Sequence, residues 1–205
     1  MYLYPEESTP LADCIRFRAA DFQGIPTDHL EPLQVVRYAT NGFFKHHYDW
    51  LSQGGDGTYS PDVKCNGDSY CEKGMGDRET TFFVYLQADC EGGETDFPEV
   101  EMGKTLDEEL WCEFVDCENG DGGVKFRPKA GNAIFWENLE DGKGIKEVLH
   151  AGLPVKTGGK IGLNIWSRQR SEVEYGNTEV KFEAYLDGEG GMMEHEKILE
   201  GHREL

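Results

Sequence analysis

The sequence predicts an antiparallel β fold closed on itself, with one helix packed against its outside. Short segments rich in β-branched and aromatic residues recur between glycine-rich turns, and only one stretch has clear helical spacing. A chain of 205 residues is long enough for one domain with a single core. We expect one domain over residues 1–205, with a core at about residues 11–170 and a C-terminal extension at 171–205.

The helix is predicted to begin at Pro10. Thr9 can cap the first turn with its hydroxyl, and proline is favoured at the first helical position. Gly24 is expected to end the helix. Five apolar side chains recur at helical spacing and should form the face that covers the sheet: Leu11, Cys14, Ile15, Ala19 and Phe22.

The strands are predicted from period-two alternation and from buried β-branched runs. Residues 33–38 form the first, and a turn at Asn41-Gly42 leads into the strand of His47 and Asp49. Residues 80–86 and 161–166 form two more. We expect residues 124–132 and 133–136 to make a pair of strands joined by a turn at Ala130-Gly131.

Three regions lie outside this pattern. Residues 51–77 are glycine-rich and aperiodic, and we expect a long surface loop that acts as a lid over substrate. Residues 99–123 are acidic and irregular, which indicates an insertion. Beyond Arg170, residues 180–184 alternate like one further strand, and residues 195–205 could be helical.

The charge of the chain excludes several classes of partner. Forty acidic residues against 20 basic ones give a net charge of −20, which would repel nucleic acid and anionic membranes. No apolar run is long enough to span a bilayer, and the first residues lack the pattern of a signal peptide. We expect a soluble protein, with the cytoplasm as the favoured compartment and the lumen of the endoplasmic reticulum as the second candidate. The sequence does not indicate an oligomeric state.

The six cysteines are too few for a disulfide scaffold and do not form a C-x-x-C zinc pattern. Cys65 with Cys71, and Cys112 with Cys117, could each close a small loop. Their spacing leaves both pairings open.

The candidate site is centred on His47 and Asp49. Side chains two residues apart on a strand point to the same side, so an imidazole and a carboxylate can bind one ion there. His46 should point the other way. Such a pair occurs readily by chance among 40 acidic residues, and a third ligand is needed for a two-histidine, one-carboxylate iron site. His150 is the candidate for that ligand.

The segments around these three residues resemble the prolyl 4-hydroxylase family of Fe(II)/2-oxoglutarate dioxygenases. The matching stretches are residues 33–38, His47-Tyr48-Asp49, residues 148–155, Lys160 and Trp166, within a resemblance from about residue 11 to about residue 168. The resemblance implies a mainly β double-stranded β-helix, or jelly roll, with a supporting N-terminal helix. It also implies Fe(II) as the metal, 2-oxoglutarate and O2 as cosubstrates, and ascorbate as a further cofactor.

The resemblance assigns roles to eight residues. It implies His47, Asp49 and His150 as the metal ligands, and Lys160 as the partner of the far carboxylate of 2-oxoglutarate. A lysine acts as a point charge, so hydroxyl groups should help to orient the acid. The hydroxyl positions match Tyr85 and Tyr38, and the positions that line the pocket match Trp166 and Thr95.

Some positions depart from the family pattern. Asn41 stands where the family has glycine, Leu153 replaces a small polar residue or cysteine, and the link between Trp136 and His150 is longer. Family members have further strands and a helix before the part matched by Met1, so the chain is expected to be short at its amino end.

The expected activity is therefore hydroxylation of a C–H bond in prolyl residues of a peptide or protein. Aromatic residues such as Tyr48, Trp50 and Trp166 are expected to line the substrate groove. A small-molecule hydroxylase with the same fold is the main rival interpretation, because fold and ligands do not specify substrate. A zinc hydrolase and a non-catalytic binding module are less favoured by the same residues.

Overall fold

The computed structural model describes residues 1–5, 8–50, 75–101, 111–118 and 122–171. Most of the predicted loop at 51–77 lies outside these residues, and so do the strand and helix predicted after Arg170. No helix in the described part of the chain is both long and apolar enough to cross a membrane.

Two antiparallel sheets organise the described residues. A five-stranded sheet has the order β1-β2-β11-β4-β7, and a four-stranded sheet has the order β3-β10-β5-β6, while β8 and β9 form a small separate hairpin. This mainly β arrangement confirms the predicted fold class. The strands are β1 (Tyr2–Leu3), β2 (Leu33–Ala39), β3 (Phe44–His47), β4 (Arg78–Gly92), β5 (Thr95–Phe97), β6 (Val124–Phe126), β7 (Ala133–Glu137), β8 (Leu139–Glu140), β9 (Lys143–Gly144), β10 (His150–Gly152) and β11 (Val155–Arg168).

The main core lies between the two sheets. Phe83 and Trp136 come from the five-stranded sheet, and Phe97 from the four-stranded sheet packs with its ring edge-on to Trp136 at 5.2 Å between centroids. The other members of this core are Trp50, Tyr85, Ile134, Leu139 and Val148. Because these large rings fill the space between the sheets, the strands that carry the candidate site have a fixed separation.

Helix α1 spans Pro10–Gln23, as predicted. The Thr9 hydroxyl accepts a hydrogen bond from the Ala12 backbone N–H at 3.3 Å and caps the first turn. Gly24 ends the helix in the left-handed conformation at φ 68°.

The predicted buried face of α1 was wrong in part. Leu11 and Phe22 are 71% and 68% exposed, and the Phe22 ring lies 5.3 and 5.2 Å from the rings of Phe82 and Phe135 in edge-to-face contact. Small side chains let the helix backbone approach the sheet, and Arg16 reaches the backbone carbonyl of Glu31 at 3.2 Å. The residues that α1 buries are Ala12, Arg16, Ala19 and Ala20.

The predicted strand pair at residues 124–136 was also wrong. The turn at Ala130-Gly131 is present, with Gly131 at φ 88°. However, β6 pairs with β5 in one sheet and β7 pairs with β4 in the other. The chain crosses between sheets at this turn, and alternation within each strand cannot show which partner it will pair with.

Part of the predicted insertion at residues 99–123 packs against the four-stranded sheet. Val115 is buried and forms an isolated bridge with Phe126 of β6. Cys112 and Cys117 form a disulfide in this region. Cys65 and Cys71 lie outside the described residues.

Candidate active site

The pairing of β3 with β10 places the two predicted histidine ligands opposite each other. His47 and His150 are register partners in this antiparallel pair, and their ring centroids are 4.3 Å apart. Asp49 follows just after β3 and is buried. His46 contacts Asp96 instead, at 2.9 Å between Nε2 and Oδ2.

The donor atoms of these residues suit a divalent cation. The Nδ1 atoms of His47 and His150 lie 2.7 and 2.9 Å from the backbone carbonyls of Lys45 and Val148. A carbonyl only accepts, so in the neutral ring Nδ1 carries the proton and Nε2 keeps its lone pair. The ligand atoms of the two histidines and Asp49 lie within 4.8 Å of one another. Lone pairs and a carboxylate this close repel unless a cation lies between them, and this donor set suits Fe(II).

The Asp49 carboxylate is held by several donors. Oδ2 accepts hydrogen bonds from the Thr81 hydroxyl at 2.8 Å and from the Trp166 indole N–H at 3.0 Å. The Arg78 guanidinium lies 3.7 Å from Oδ1 and stacks over the Trp166 ring at 3.5 Å. These protein groups therefore fix the orientation of the carboxylate.

The electrostatic environment keeps Asp49 ionised. Burial alone would raise the pKa of this carboxyl, but the His47 imidazole, electrostatic interactions with His150 and Arg78, and the Trp166 indole together hold its pKa well below the usual range. Burial lowers the pKa of His150, with Asp49 opposing that shift. At neutral pH the cluster therefore presents an anionic carboxylate and a neutral imidazole, the forms that bind metal.

Lys160 lies on β11, is 1% exposed and donates a hydrogen bond to the Gly93 carbonyl. Its Nζ is 4.9 Å from the centre of the Tyr38 ring. The Tyr85 and Thr95 hydroxyls form a hydrogen bond of 2.7 Å beside it. A buried cation among aromatic rings and hydroxyls can bind a carboxylate that enters from the cavity.

The charge states in this region follow from burial. Burial lowers the pKa of Lys160 to about 8, with opposing contributions from Cys90 and Glu94, so the ammonium is still the main form at pH 7. Burial raises the pKa of Tyr85 far above its usual range. Tyr85 is therefore a neutral hydroxyl that can donate to Thr95.

A single cavity of about 320 Å³ contains most of the predicted site. Tyr85 does not line it, and its hydroxyl is bonded to Thr95, which does. Tyr48 lines the cavity as expected. The prediction that Trp50 lines the groove was wrong, because this residue is 1% exposed and lies in the core. Trp136 lines the cavity instead. Seven predicted site residues line the cavity: Tyr38, His47, Asp49, Thr95, His150, Lys160 and Trp166.

Comparison with known proteins decides the family. The sequence model described as the 2OG-Fe(II) oxygenase superfamily matches residues 33–168, from the first residue of β2 to the last residue of β11. The chain belongs to the 2OG-Fe(II) oxygenase superfamily. The resemblance found in the sequence is thereby confirmed.

Within this superfamily the chain is similar to prolyl 4-hydroxylases. Prolyl 4-hydroxylase 1 of Arabidopsis thaliana is 31% identical over 170 residues, which cover 81% of this chain and 50% of that protein. Prolyl 4-hydroxylase subunit alpha-1 of Homo sapiens is 29% identical over 164 residues, covering 80% of this chain and 24% of that one. The chain thus spans half or less of the length of these curated relatives.

A solved oxygenase structure supports the jelly-roll fold. The viral collagen prolyl hydroxylase from Paramecium bursaria Chlorella virus-1, in complex with 2OG, is 29% identical with a TM-score of 0.57. The similarity covers 82% of this chain and 77% of that one.

Several residues of the candidate site were not predicted from sequence. Thr81 and Arg78 contact Asp49, and Asn138 lies behind Thr81. Thr81 has the β-branched side chain of any buried strand residue, so composition gave no signal. An asparagine two residues after the apolar run 133–136 was a usable signal, because an amide that is buried beside such a strand needs partners.

Glu31 holds Arg78, a residue that lines the cavity, and is 2% exposed. Its Oε1 accepts from Arg78 Nε at 2.8 Å and from Arg168 Nε at 2.6 Å. We expect Glu31→Gln to lower the free energy of unfolding by about 1.5–3 kcal/mol, because charge-assisted hydrogen bonds are lost in a buried setting. Urea unfolding measures this change.

The matched control for Glu31→Gln is Glu113→Gln. Glu113 pairs with Lys129, and both side chains are about half exposed. An exposed pair contributes about 0–1 kcal/mol, so this variant should unfold almost like the unmodified protein. Equal losses in both variants would show that burial does not strengthen the Glu31 network.

Proposed function

We propose that this chain is an Fe(II)- and 2-oxoglutarate-dependent dioxygenase that hydroxylates prolyl residues of a peptide or protein. One observation carries the proposal. A cluster of two imidazoles and one carboxylate shares a single cavity with a buried lysine. That combination suits a metal that binds the keto-acid end of 2-oxoglutarate and a cation that binds its far carboxylate.

His47, Asp49 and His150 would hold the metal through three ligand atoms and leave the remaining positions open. Bound Fe(II) supplies the oxidation of 2-oxoglutarate by O2, which yields succinate and CO2 and delivers one oxygen atom to the substrate C–H bond. The residues of the chain bind and orient the reactants. Rings of the five-stranded sheet wall the cavity and would keep bulk water from the reacting atoms, and they include Phe83, Trp136 and Trp166.

Lys160 would bind the far carboxylate of 2-oxoglutarate. The Thr95 hydroxyl lies in the cavity wall, held by the hydrogen bond with Tyr85, and can donate to the same carboxylate. Tyr38 is the register partner of Lys160 on the neighbouring strand and limits the space around its Nζ. The acid would therefore enter with a defined direction, its keto end toward the histidines.

The substrate side of the cavity suits a peptide. The Asn164 amide donates to the Gln34 side chain at 2.8 Å, and Gln34 donates to the Tyr2 hydroxyl at 2.6 Å. These polar groups line the cavity together with Phe44 and Tyr48. Amides and hydroxyls can pair with the backbone of an extended peptide while the rings pack against proline. The prolyl hydroxylase names of the relatives support the same class of substrate.

Turnover with defined substrates tests the proposal. We expect succinate formation with Fe(II) and 2-oxoglutarate to rise when a proline-containing peptide is added, with one oxygen atom gained at proline by mass spectrometry. The same peptide with alanine in place of proline is the control and should not be oxidised. Succinate formation stimulated by free amino acids or other small metabolites, but by no proline peptide, would favour the small-molecule hydroxylase.

A further inference from the structure

Asn138 lies behind the cluster of His47, Asp49 and His150 and is completely buried. Its Nδ2 donates to the Thr81 hydroxyl at 2.9 Å, and its Oδ1 accepts from the Trp136 indole N–H, also at 2.9 Å. Thr81 in turn donates to Asp49 Oδ2 at 2.8 Å. An unbroken chain of three hydrogen bonds therefore runs from Trp136 to the carboxylate, through residues that are at most 8% exposed.

The Trp136 indole N–H fixes the direction of all three hydrogen bonds in this series. An indole N–H can only donate, so the oxygen of the Asn138 amide must face Trp136 and its NH₂ must face Thr81. A hydroxyl has one proton, and because Thr81 accepts from Asn138, that proton is available to Asp49. In this series of hydrogen bonds, the Thr81 hydroxyl can therefore only act as a donor toward the Asp49 carboxylate.

The two oxygens of Asp49 are consequently different. Oδ2 accepts from both Thr81 and Trp166. Among the residues that the structure describes, the nearest basic nitrogens to Oδ1 are those of His47 and Arg78, at 3.6 and 3.7 Å, which is beyond hydrogen-bond distance. Oδ1 therefore keeps its lone pairs for a metal.

The same series of hydrogen bonds also supports His150, through the ring of Trp136. The Trp136 ring contacts the His150 ring edge-on at 4.8 Å between centroids. Trp136 is held by its bond to Asn138 and by packing against Phe97. One buried network therefore sets the orientation of two of the three proposed ligands.

We propose that Asn138 is a positioning residue which, through Thr81, holds Asp49 with Oδ1 free as the single ligand oxygen and so sets the metal affinity of the site. This inference rests on the proposed metal site but not on any substrate. Loss of such an outer partner weakens metal binding by about 10- to 100-fold.

Anaerobic Co(II) titration followed by visible absorption tests this inference without turnover. We expect Thr81→Val and Asn138→Leu each to weaken Co(II) binding by about 10- to 100-fold, and Thr81→Ser, which keeps the hydroxyl, to bind nearly as the unmodified protein does. The matched control is Thr80→Val. Thr80 is also buried on β4, but its hydroxyl contacts Gln23 and Ser167 on the other face, so Co(II) affinity should not change.

The double variant Thr81→Val/Asn138→Leu separates positioning from general destabilisation. Because Asn138 reaches Asp49 through Thr81, the loss of Co(II) affinity in the double variant should be smaller than the two single losses combined. Additive losses, or unchanged affinity in Asn138→Leu, would overturn the inference. Trp136→Phe removes the indole N–H together with the five-membered part of the ring, and it must also weaken binding, which provides the test if Asn138→Leu does not fold. Failure of the unmodified protein to bind Co(II) would instead refute the proposed metal site.

Discussion

His47→Ala and His150→Ala are each expected to abolish metal retention and succinate formation while the sheets remain folded. Each variant removes one of the three proposed ligands, and the described residues offer no further protein ligand in this cluster. His47 is half-buried at the end of β3, so its truncation leaves little of the core exposed. Bound iron per chain and succinate formed per hour are the two measurements.

The adjacent histidine is the matched control for these variants. His46 has the same chemistry on the same strand, but its ring contacts Asp96 outside the cluster. His46→Ala should therefore retain iron and turnover. A loss in His46→Ala equal to that in His47→Ala would mean that the effect comes from strand β3 and not from ligation.

Asp49→Ala is a less clean test than either histidine variant. Asp49 is 4% exposed and accepts hydrogen bonds from Thr81 and Trp166, with the Arg78 charge close by. Its truncation would leave buried donors unpaired, which costs about 1–3 kcal/mol of stability. Asp49→Asn keeps the volume and an acceptor oxygen, and so it separates the loss of the ligand charge from unfolding.

Local features of the fold followed from the sequence because their causes are local. The cap at Thr9 and the end of α1 at Gly24 depend only on neighbouring backbone groups. Pairing depends on distant partners, and so the crossing of the chain between sheets at Gly131 was not visible. The buried face of α1 was misjudged because hydrophobicity favoured Leu11, whereas close approach to the sheet favours alanine.

The candidate site was predictable to the extent that it depends on spacing and on the family resemblance. Both selected the pair His47 and Asp49, and the resemblance added His150 and Lys160. The supporting residues could not be found in this way. Thr81 and Asn138 meet only because β4 and the end of β7 are neighbours, and their function depends on hydrogen-bond direction, which sequence does not contain.

Lys160→Ala is expected to raise the requirement for 2-oxoglutarate by about 100- to 4,000-fold. Removing one partner of a buried charge pair costs about 3–5 kcal/mol, and each 1.4 kcal/mol is a factor of ten in affinity. Lys160→Arg keeps the charge and should do less harm, although the larger guanidinium must fit a position that is 1% exposed. The KM for 2-oxoglutarate in both variants, with iron content as the control for an intact cluster, measures the effect.

The pH dependence of 2-oxoglutarate binding gives a second measure of the same contact. The pKa of Lys160 is lowered to about 8 by burial, so before 2-oxoglutarate binds, this side chain is a cation below that pH and loses its charge above it. The carboxylates of 2-oxoglutarate stay ionised throughout, and the KM should therefore rise by about tenfold per pH unit above pH 8. An arginine remains charged, so the KM of Lys160→Arg should stay flat over the same range. Two results together would contradict this role of Lys160: an unchanged 2-oxoglutarate requirement in Lys160→Ala, and no rise of the KM above pH 8 in the unmodified protein. The cosubstrate would then bind elsewhere. Hydrolysis by a zinc ion on the same three residues would become the better account of the cavity.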